Sequence, residues 1–353
     1  MTPTAPHPIG LRHPGVFAAL AAALLFGAST PLAKLLLDVV NPWLLAGLFY
    51  LGSGIGLTVY RRVRRVAPVT LSRREAGGLA AAILSGGIVA PVLLMFGLTA
   101  MPASGASLLL NAEGAFTALL AWFAFKENVD RRIALGMIAI VAGALVISWP
   151  GEVGFSGGWP AIAVLGACLA WGIDNNLTRM VSLTDATWIA AIKGVIAGTI
   201  NLVIALLLGV SLPGLSGAVV AMTLGLFAYG VSLILFVHGL RHLGTARTGA
   251  YFSVAPFFGA LLAVGLGEPI TNSLLVAGGL MAIGTGLHLT ERHDHLHTHE
   301  PLTHDHEHVH DAHHDHDHNP PAEAGTRHRH VHTHEPITHS HPHYPDAHHR
   351  HGH

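Results

Sequence analysis

"SLLLNAEGAFTALLAWFAFKENVDRRIALGMIAIVAGALVIS" occupies residues 107–148, and "TGAYFSVAPFFGALLAVGLGEPITNSLLVAGGLMAIGTGLHL" occupies 248–289. At a shift of 141 the two share a plan, with Glu127 falling on Glu268 and Gly143 on Gly284. Each glutamate ends one apolar run and precedes a short polar loop and a second, glycine-rich run. Upstream, "LLFGASTPLAK" (24–34) matches "LAWGIDNNLTR" (169–179) at a shift of 145, which sets Gly27 on Gly172 and Lys34 on Arg179. The chain is therefore a duplication, with halves at 1–150 and 151–290 and a remainder at 291–353.

Hydropathy says what each half is made of. A bilayer core takes about 20 apolar residues per helix. Ten segments meet this, near 15–37, 43–60, 77–99, 103–125, 132–149, 159–180, 187–209, 217–238, 246–266 and 272–290. The expected fold is an all-α membrane protein of ten transmembrane helices, five per half. Five is odd, so the halves cross in opposite senses as inverted repeats. Small-residue spacings, Gly52 with Gly56 and Gly194 with Gly198, suit close helix packing. Arg12 followed by an apolar run and "GAS" has the outline of a secretory signal. The segment is read as an uncleaved first span.

Cations set the orientation. "RRVRR" (61–65), Arg73, Arg74, Lys126, Arg131, Arg132, Arg179, Arg241, Arg247, Arg12 and Arg292 all fall on one side if the N-terminus is cytoplasmic. The opposite loops, "TAMPAS", "WPGEVGFSGG", "GVSLPGLSG" and "GEPITNS", contain no Lys or Arg. Only Lys34 and Lys193 depart, and both lie within spans. The expected location is the cytoplasmic (inner) membrane, with both termini in the cytoplasm. "RRVRR" is read as a topology signal beside anionic lipid. Trp43 and Trp188, equivalent at the 145 shift, are read as interfacial anchors.

The two five-helix halves, "WGIDNN" after an apolar run, and "KEN" and "GEP" at the ends of spans four and nine resemble the EamA-type branch of the drug/metabolite transporter superfamily. The likeness covers about residues 15–290. It implies a secondary transporter of small metabolites, amino acids or toxic compounds. Asn128 departs from the pattern by replacing the proline that Glu268–Pro269 keeps.

Ionisable residues inside spans are costly and are candidate functional groups. Glu113 lies about ten residues into span four, at ~1.5 Å each, hence near the midplane. It is a candidate proton carrier coupling transport to a proton gradient; the plainer alternative is a carboxyl bonded to a neighbouring helix. Asp174, Asn175 and Asn176 lie near one end of span six, at the depth of Lys193 in span seven. Asp174 and Lys193 are expected to pair, as a structural latch or as part of a substrate path. Asn111 shares the depth of Glu113, but residues two apart do not share a helix face. A bond to a neighbouring helix is its expected role. His238 and His242, at i and i+4, have the spacing of a metal pair, although an interfacial pair beside Arg241 is ordinarily solvated.

The remainder has a different composition. Residues 1–290 hold 15 Lys+Arg, 9 Asp+Glu and five histidines; 291–353 hold 4 Lys+Arg, 11 Asp+Glu and 23 histidines. The last segment has almost no apolar residues and is expected to be a disordered tail. It repeats itself: "HTHEPLTHDHEHVHDAHHDHDH" (297–318) and "HTHEPITHSHPHYPDAHHRHGH" (332–353) agree at 15 of 22 positions. Alternating histidines in a flexible chain offer imidazoles to Zn²⁺, Ni²⁺, Co²⁺ or Cu²⁺, with no fixed geometry to choose among them. The candidate ligands are His297, His299, His304, His306, His308, His310, His313, His314, His316 and His318. The first copy, with Asp and Glu interleaved, is expected to bind more tightly, and protonation near pH 6.5 to release the metal.

Three readings follow. The first is a transporter of a small solute with a metal-binding tail, and the second a divalent-metal transporter whose tail loads the ion. The third, a membrane-tethered metal sensor, leaves ten helices with too little to do. No cofactor is required, and a divalent metal on the tail is the one candidate. The expected partners are a small-molecule substrate, membrane lipid and divalent metal ions; a homodimer is left open. An enzyme is not expected, because no loop is long enough for a nucleophile–base set. No feature supports nucleic-acid binding. Cys168 is the one cysteine, so no disulfide forms within the chain.

Overall fold

A computed structural model describes residues 14–125, 131–149, 158–178, 181, 185–243 and 245–289, and, in the tail, 296–299, 302–308, 328–334 and 337–340. Glu127, Asn128 and Arg179 lie outside the described residues, as do His310, His313, His314, His316 and His318. Two compact units result, Met1–Glu291 and Arg292–His353.

The first unit is helical. Its first half comprises α1 (Pro14–Leu36), α2 (Pro42–Val63), α3 (Arg73–Ala82), a π-helical segment Ile83–Val89, α4 (Ala90–Thr99), α5 (Ala103–Leu109), α6 (Ala112–Phe125) and α7 (Arg131–Ser148). Its second comprises α8 (Trp159–Thr178), α9 (Ala186–Leu207), α10 (Leu215–Gly225), a π-helical segment Leu226–Val231, α11 (Ser232–Leu243), α12 (Thr245–Phe252), α13 (Ala255–Gly265) and α14 (Asn272–Leu289). The starts follow local chemistry. Asn41 caps α2 with Pro42 behind it, and Asp185 caps α9 by accepting from Thr187 and Trp188 N–H. Ser72 and Glu75 form a capping box on α3. Trp43 and Trp188 each sit in the capped first turn.

Eight helices among the described residues are long and apolar enough to cross a membrane. Two of the ten expected spans fall outside that set. Asn272–Leu287 is apolar but shorter. Trp159–Thr178 has 20 residues, but its last turns carry Asp174, Asn175 and Asn176, which lower its hydropathy.

Span four, expected as one helix, is broken. α5 ends at Leu109 and α6 begins at Ala112, and the Asn111 amide donates to the Leu108 carbonyl at 2.8 Å, competing with the helix ladder. Span nine breaks at the same place in its half, between α12 and α13. There Pro256 lacks an N–H and crowds the preceding turn, while Ser253 Oγ donates to Ala250 O. The third span of each half also carries a π-helical segment.

Packing between the halves is reciprocal. α2 lies on α9, and α7 on α14. α1 lies on α11 and α13, while α8 lies on α4 and α6. Exchanging halves maps these contacts onto themselves or onto one another, whereas α5–α13 and α2–α10 lack such a counterpart among the described residues. The α2–α9 crossing rests on glycine. A Cβ on Gly194 would stand 2.6 Å from Gly54 Cα, and one on Gly198 2.6 Å from Leu51 N. Gly52 and Gly56 face the other side, against Met222 and Leu226. The core, with Phe49, Leu44, Leu45, Met95, Leu109 and Ile140 fully buried, draws on helices of both halves.

In the tail the described segments are strands: β1 (Leu296–His299), β2 (Leu302–His308), β3 (His328–His334) and β4 (Ile337–Ser340). β1 pairs antiparallel with β4, and β2 with β3. The duplication allows this pairing. Each copy carries the same period-two alternation, so each supplies the other with a backbone ladder that needs no apolar core.

Candidate functional site

The site gathers on the α6–α8–α9 side of the helical unit. Gly172 lets α8 approach α6, since a Cβ there would stand 3.1 Å from Phe116 Cβ. The polar run that follows then meets the first turns of α6. Asn175 Nδ2 donates to Glu113 Oε1 at 2.9 Å and to Thr117 Oγ1 at 3.2 Å. Asn176 Nδ2 donates to Thr117 O at 3.1 Å and Gly172 O at 2.8 Å, locking the two helices together. Glu113 is half-buried in the first turn of α6, just past the helix break. It has no ion-pair partner among the described residues.

Lys193 reaches Asp174 with both carboxylate oxygens in range, at 2.5 and 2.6 Å. The two side chains are 15% and 6% exposed. Thr178 Oγ1 donates to Asp174 Oδ1 at 2.8 Å. The pair is thus buried and hydrogen-bonded, the condition under which a buried ion pair holds. It is packed against a glycine: a Cβ on Gly86 would stand 2.0 Å from Asp174 Oδ2.

Gly86 lies in the π-helical segment, and its carbonyl has two side-chain donors. Tyr50 Oη donates at 2.7 Å and Trp171 Nε1 at 2.9 Å. The next carbonyl, Gly87, accepts from Asn201 Nδ2 at 3.2 Å. Tyr50 meets Tyr229 of the second π-helical segment at a tilt, with ring centroids 5.5 Å apart, and Tyr229 continues to Phe49 and Phe26 at 6.0 and 5.9 Å. A carboxylate, an ion pair and an aromatic wall therefore stand together beside both π-helical segments. Such discontinuous helices are where polar backbone becomes available within a bundle.

Of the residues singled out in the sequence, Glu113, Asp174, Asn175, Asn176 and Lys193 come together. Asn111 does not join them: it accepts from Thr285 Oγ1 at 3.2 Å and so binds α14. Sequence reasoning missed Tyr50, Gly86, Trp171 and Tyr229. Trp171 opens the "WGIDNN" run, and the Gly86–Gly87 doublet four residues ahead of a proline marks the disrupted turn, so both left a signal. His238 and His242 lie with ring centroids 4.2 Å apart, and His242 Nδ1 sits 2.9 Å from the His238 carbonyl.

Two further links join the halves at their ends. Arg61, from the "RRVRR" cluster, is buried; it pairs with Asp185 at 2.8 Å and donates to Thr187 Oγ1 at 2.7 Å. This arginine therefore ties α2 to the cap of α9, a role that topology alone did not suggest. Burial raises the Asp185 carboxyl, but bonds from Thr187, Trp188 N–H and Arg61 outweigh it and hold it below its ordinary value. Glu268 accepts from Ala103 N at 2.6 Å and Ser104 N at 2.8 Å, so it caps α5 from the other half. Gly267, at φ 107°, provides the backbone conformation that ends α13 before it. Lys34 Nζ donates to Leu98 O and Thr99 O, neutralising the end of α4.

Comparison with known proteins agrees with this geometry. The EamA-like transporter family matches residues 13–149 and again 158–290. An uncharacterized transporter of Methanothermobacter thermautotrophicus is 28% identical over 292 residues, which is 76% of this chain and 84% of that protein. An uncharacterized transporter of Clostridium kluyveri is 23% identical over 248 residues, 67% of this chain and 79% of that one. A solved structure, titled only as the crystal structure of a protein, superposes with a TM-score of 0.59 over 77% of this chain and 95% of its own, at 18% identity, and speaks for the fold alone. With the family matched in both halves and eight helices suited to a bilayer, this chain belongs to the EamA-like transporter family and is a multi-pass membrane transporter, not an enzyme.

Proposed function

We propose that the protein is a proton-coupled secondary transporter of a small organic solute, with ten spans in two inverted five-helix halves and both termini in the cytoplasm. The reciprocal packing of the halves supports the inversion, and the one-sided Lys and Arg distribution supports the orientation. The observation that carries the coupling is Glu113. It is a carboxyl in a broken span, bonded to the neutral amide of Asn175 while Lys193 is occupied by Asp174. A group so placed gains or loses a proton without breaking an ion pair. Asp174 and Lys193 hold α8 to α9 and gate the path, and Asn175 and Asn176 line it. The cytoplasmic tail binds Zn²⁺, Ni²⁺ or Co²⁺ as an accessory.

The test is solute-driven proton flux in proteoliposomes, scanned over candidate metabolites. Glu113→Gln is expected to abolish flux driven by a pH gradient while the protein still folds. Unchanged gradient-driven flux would remove the coupling role. A second reading, transport of the divalent metal itself, is favoured by the histidine tail. Protein truncated after Thr290 separates the two: metal flux through the truncated form would establish the metal reading.

A further inference from the structure

The strand register of the tail brings its two copies together in a specific way. β2 and β3 pair His304 with His332, His306 with His330 and His308 with His328. Paired residues on antiparallel strands share a face, and the face repeats every second residue. Six histidines, three from the first copy and three from the start of the second copy and the residues leading into it, therefore occupy one face of this ribbon. The alternate register positions are Thr303 with Thr333, Asp305 with Val331 and Glu307 with Arg329. One face is histidine throughout those three rows, and the other holds two threonines, an aspartate opposite a valine and the oppositely charged Glu307 and Arg329.

β1 and β4 continue the same register, pairing His297 with His339 and Thr298 with Thr338. Between the two ribbons each copy has a Glu-Pro pair, Glu300–Pro301 and Glu335–Pro336. Proline has no N–H for a ladder. Residues 297–299 and 302–304 of the first copy are thus set against 337–339 and 332–334 of the second.

From this juxtaposition we infer that the tail holds one divalent-metal site built jointly by its two copies, a cross-strand histidine ladder of His304, His306, His308, His328, His330 and His332. The ligand class is a borderline divalent cation that prefers imidazole, such as Zn²⁺, Co²⁺ or Ni²⁺. Directly opposed positions stand about 5 Å apart at Cβ, so two neighbouring rows offer four imidazoles to one tetrahedral ion. A two-stranded ribbon in water is marginal by itself. An ion that bridges the strands stabilises the ribbon by mass action, and the ribbon in turn preorganises the ligands. The inference rests on the tail's metal-binding role, but it changes the expected order of affinity. The first copy alone lacks half the ladder, so it is not the tighter site.

The experiment is a Co²⁺ titration of the full chain in detergent, read by the visible absorption of tetrahedral cobalt. Three variants are compared with the parent. His328→Ala/His330→Ala/His332→Ala removes the ladder's second rail. His343→Ala/His348→Ala/His349→Ala removes the same number of histidines elsewhere in the second copy. Insertion of one glycine between His330 and Val331 keeps every histidine but shifts His328 and His330 to the other face. The first and third are expected to weaken the tightest ion by about tenfold or more and to lose the tetrahedral spectrum. The second is expected to stay within about twofold of the parent. Equal losses in the two triple variants, or an insertion without effect, would overturn the ladder while leaving the tail a metal binder. No cobalt bound by the parent chain would overturn both.

Discussion

At the scale of single residues, the Asp174–Lys193 pair and Glu113 answer to different physics. The pair is buried and mutually satisfied, so removing one partner strands the other charge. Lys193→Ala is expected to cost about 3–5 kcal/mol of stability, read as a fall in the detergent-solubilised melting temperature. Exchanging the two residues, Asp174→Lys with Lys193→Asp, is expected to recover part of that loss; no recovery would show that the pair is not the reason. Asp185 gives a pH test. Its carboxyl is held below the ordinary value, so its ionised form stabilises the fold fully above the unfolded pKa of about 3.9. That contribution is lost as pH falls through the lower folded value. The melting-temperature gap between the parent and Asp185→Asn should therefore be constant at neutral pH and close only at strongly acidic pH. A gap that closes near pH 6 would point to another group.

At the scale of elements, the α2–α9 crossing depends on backbone meeting backbone. Gly194→Leu forces a side chain where Gly54 already stands, and is expected to cost at least about 1–3 kcal/mol or to abolish folded protein in size-exclusion profiles. Gly77→Leu is the control, because nothing lies within 4 Å of its Cβ position. These crossings were legible in the sequence as glycine spacings on α9, and the helices as apolar runs. The Asp174–Lys193 pair was legible too, because matched depth on adjacent antiparallel helices is a one-dimensional property. The breaks were harder. Asn111 interrupts span four by a local side-chain bond that hydropathy does not register. The role of Gly86 depends on donors from α2 and α8, and a single sequence does not show which helices are neighbours. Arg61 looked like one of several interchangeable surface charges; only the approach of α9 singled it out. In the tail, composition argues against an apolar core, and the register of its described strands is not a property that composition carries.

At the scale of the whole molecule, the two halves are joined at both ends, by Arg61–Asp185 at one and by Glu268 on α5 at the other. Breaking one link alone is expected to bias which end opens. In transport assays, Arg61→Ala should change the rate of solute exchange, and Glu268→Gln should change it in the opposite direction if the two latches compete. Equal effects of the same sign would mean that both serve stability only. The reciprocal packing has a consequence for how the chain comes to be folded. Arg61 and Thr187 lie 126 residues apart in sequence, and α2–α9 and α7–α14 likewise join one half to the other. The Arg61 and α2–α9 seams cannot close before α9 is made, and the α7–α14 seam must wait for the last helix of the unit. α1 likewise finds its partners α11 and α13 only in the second half, and α8 finds α4 and α6 only in the first, so neither half can complete its packing alone and the two must interlock as one unit.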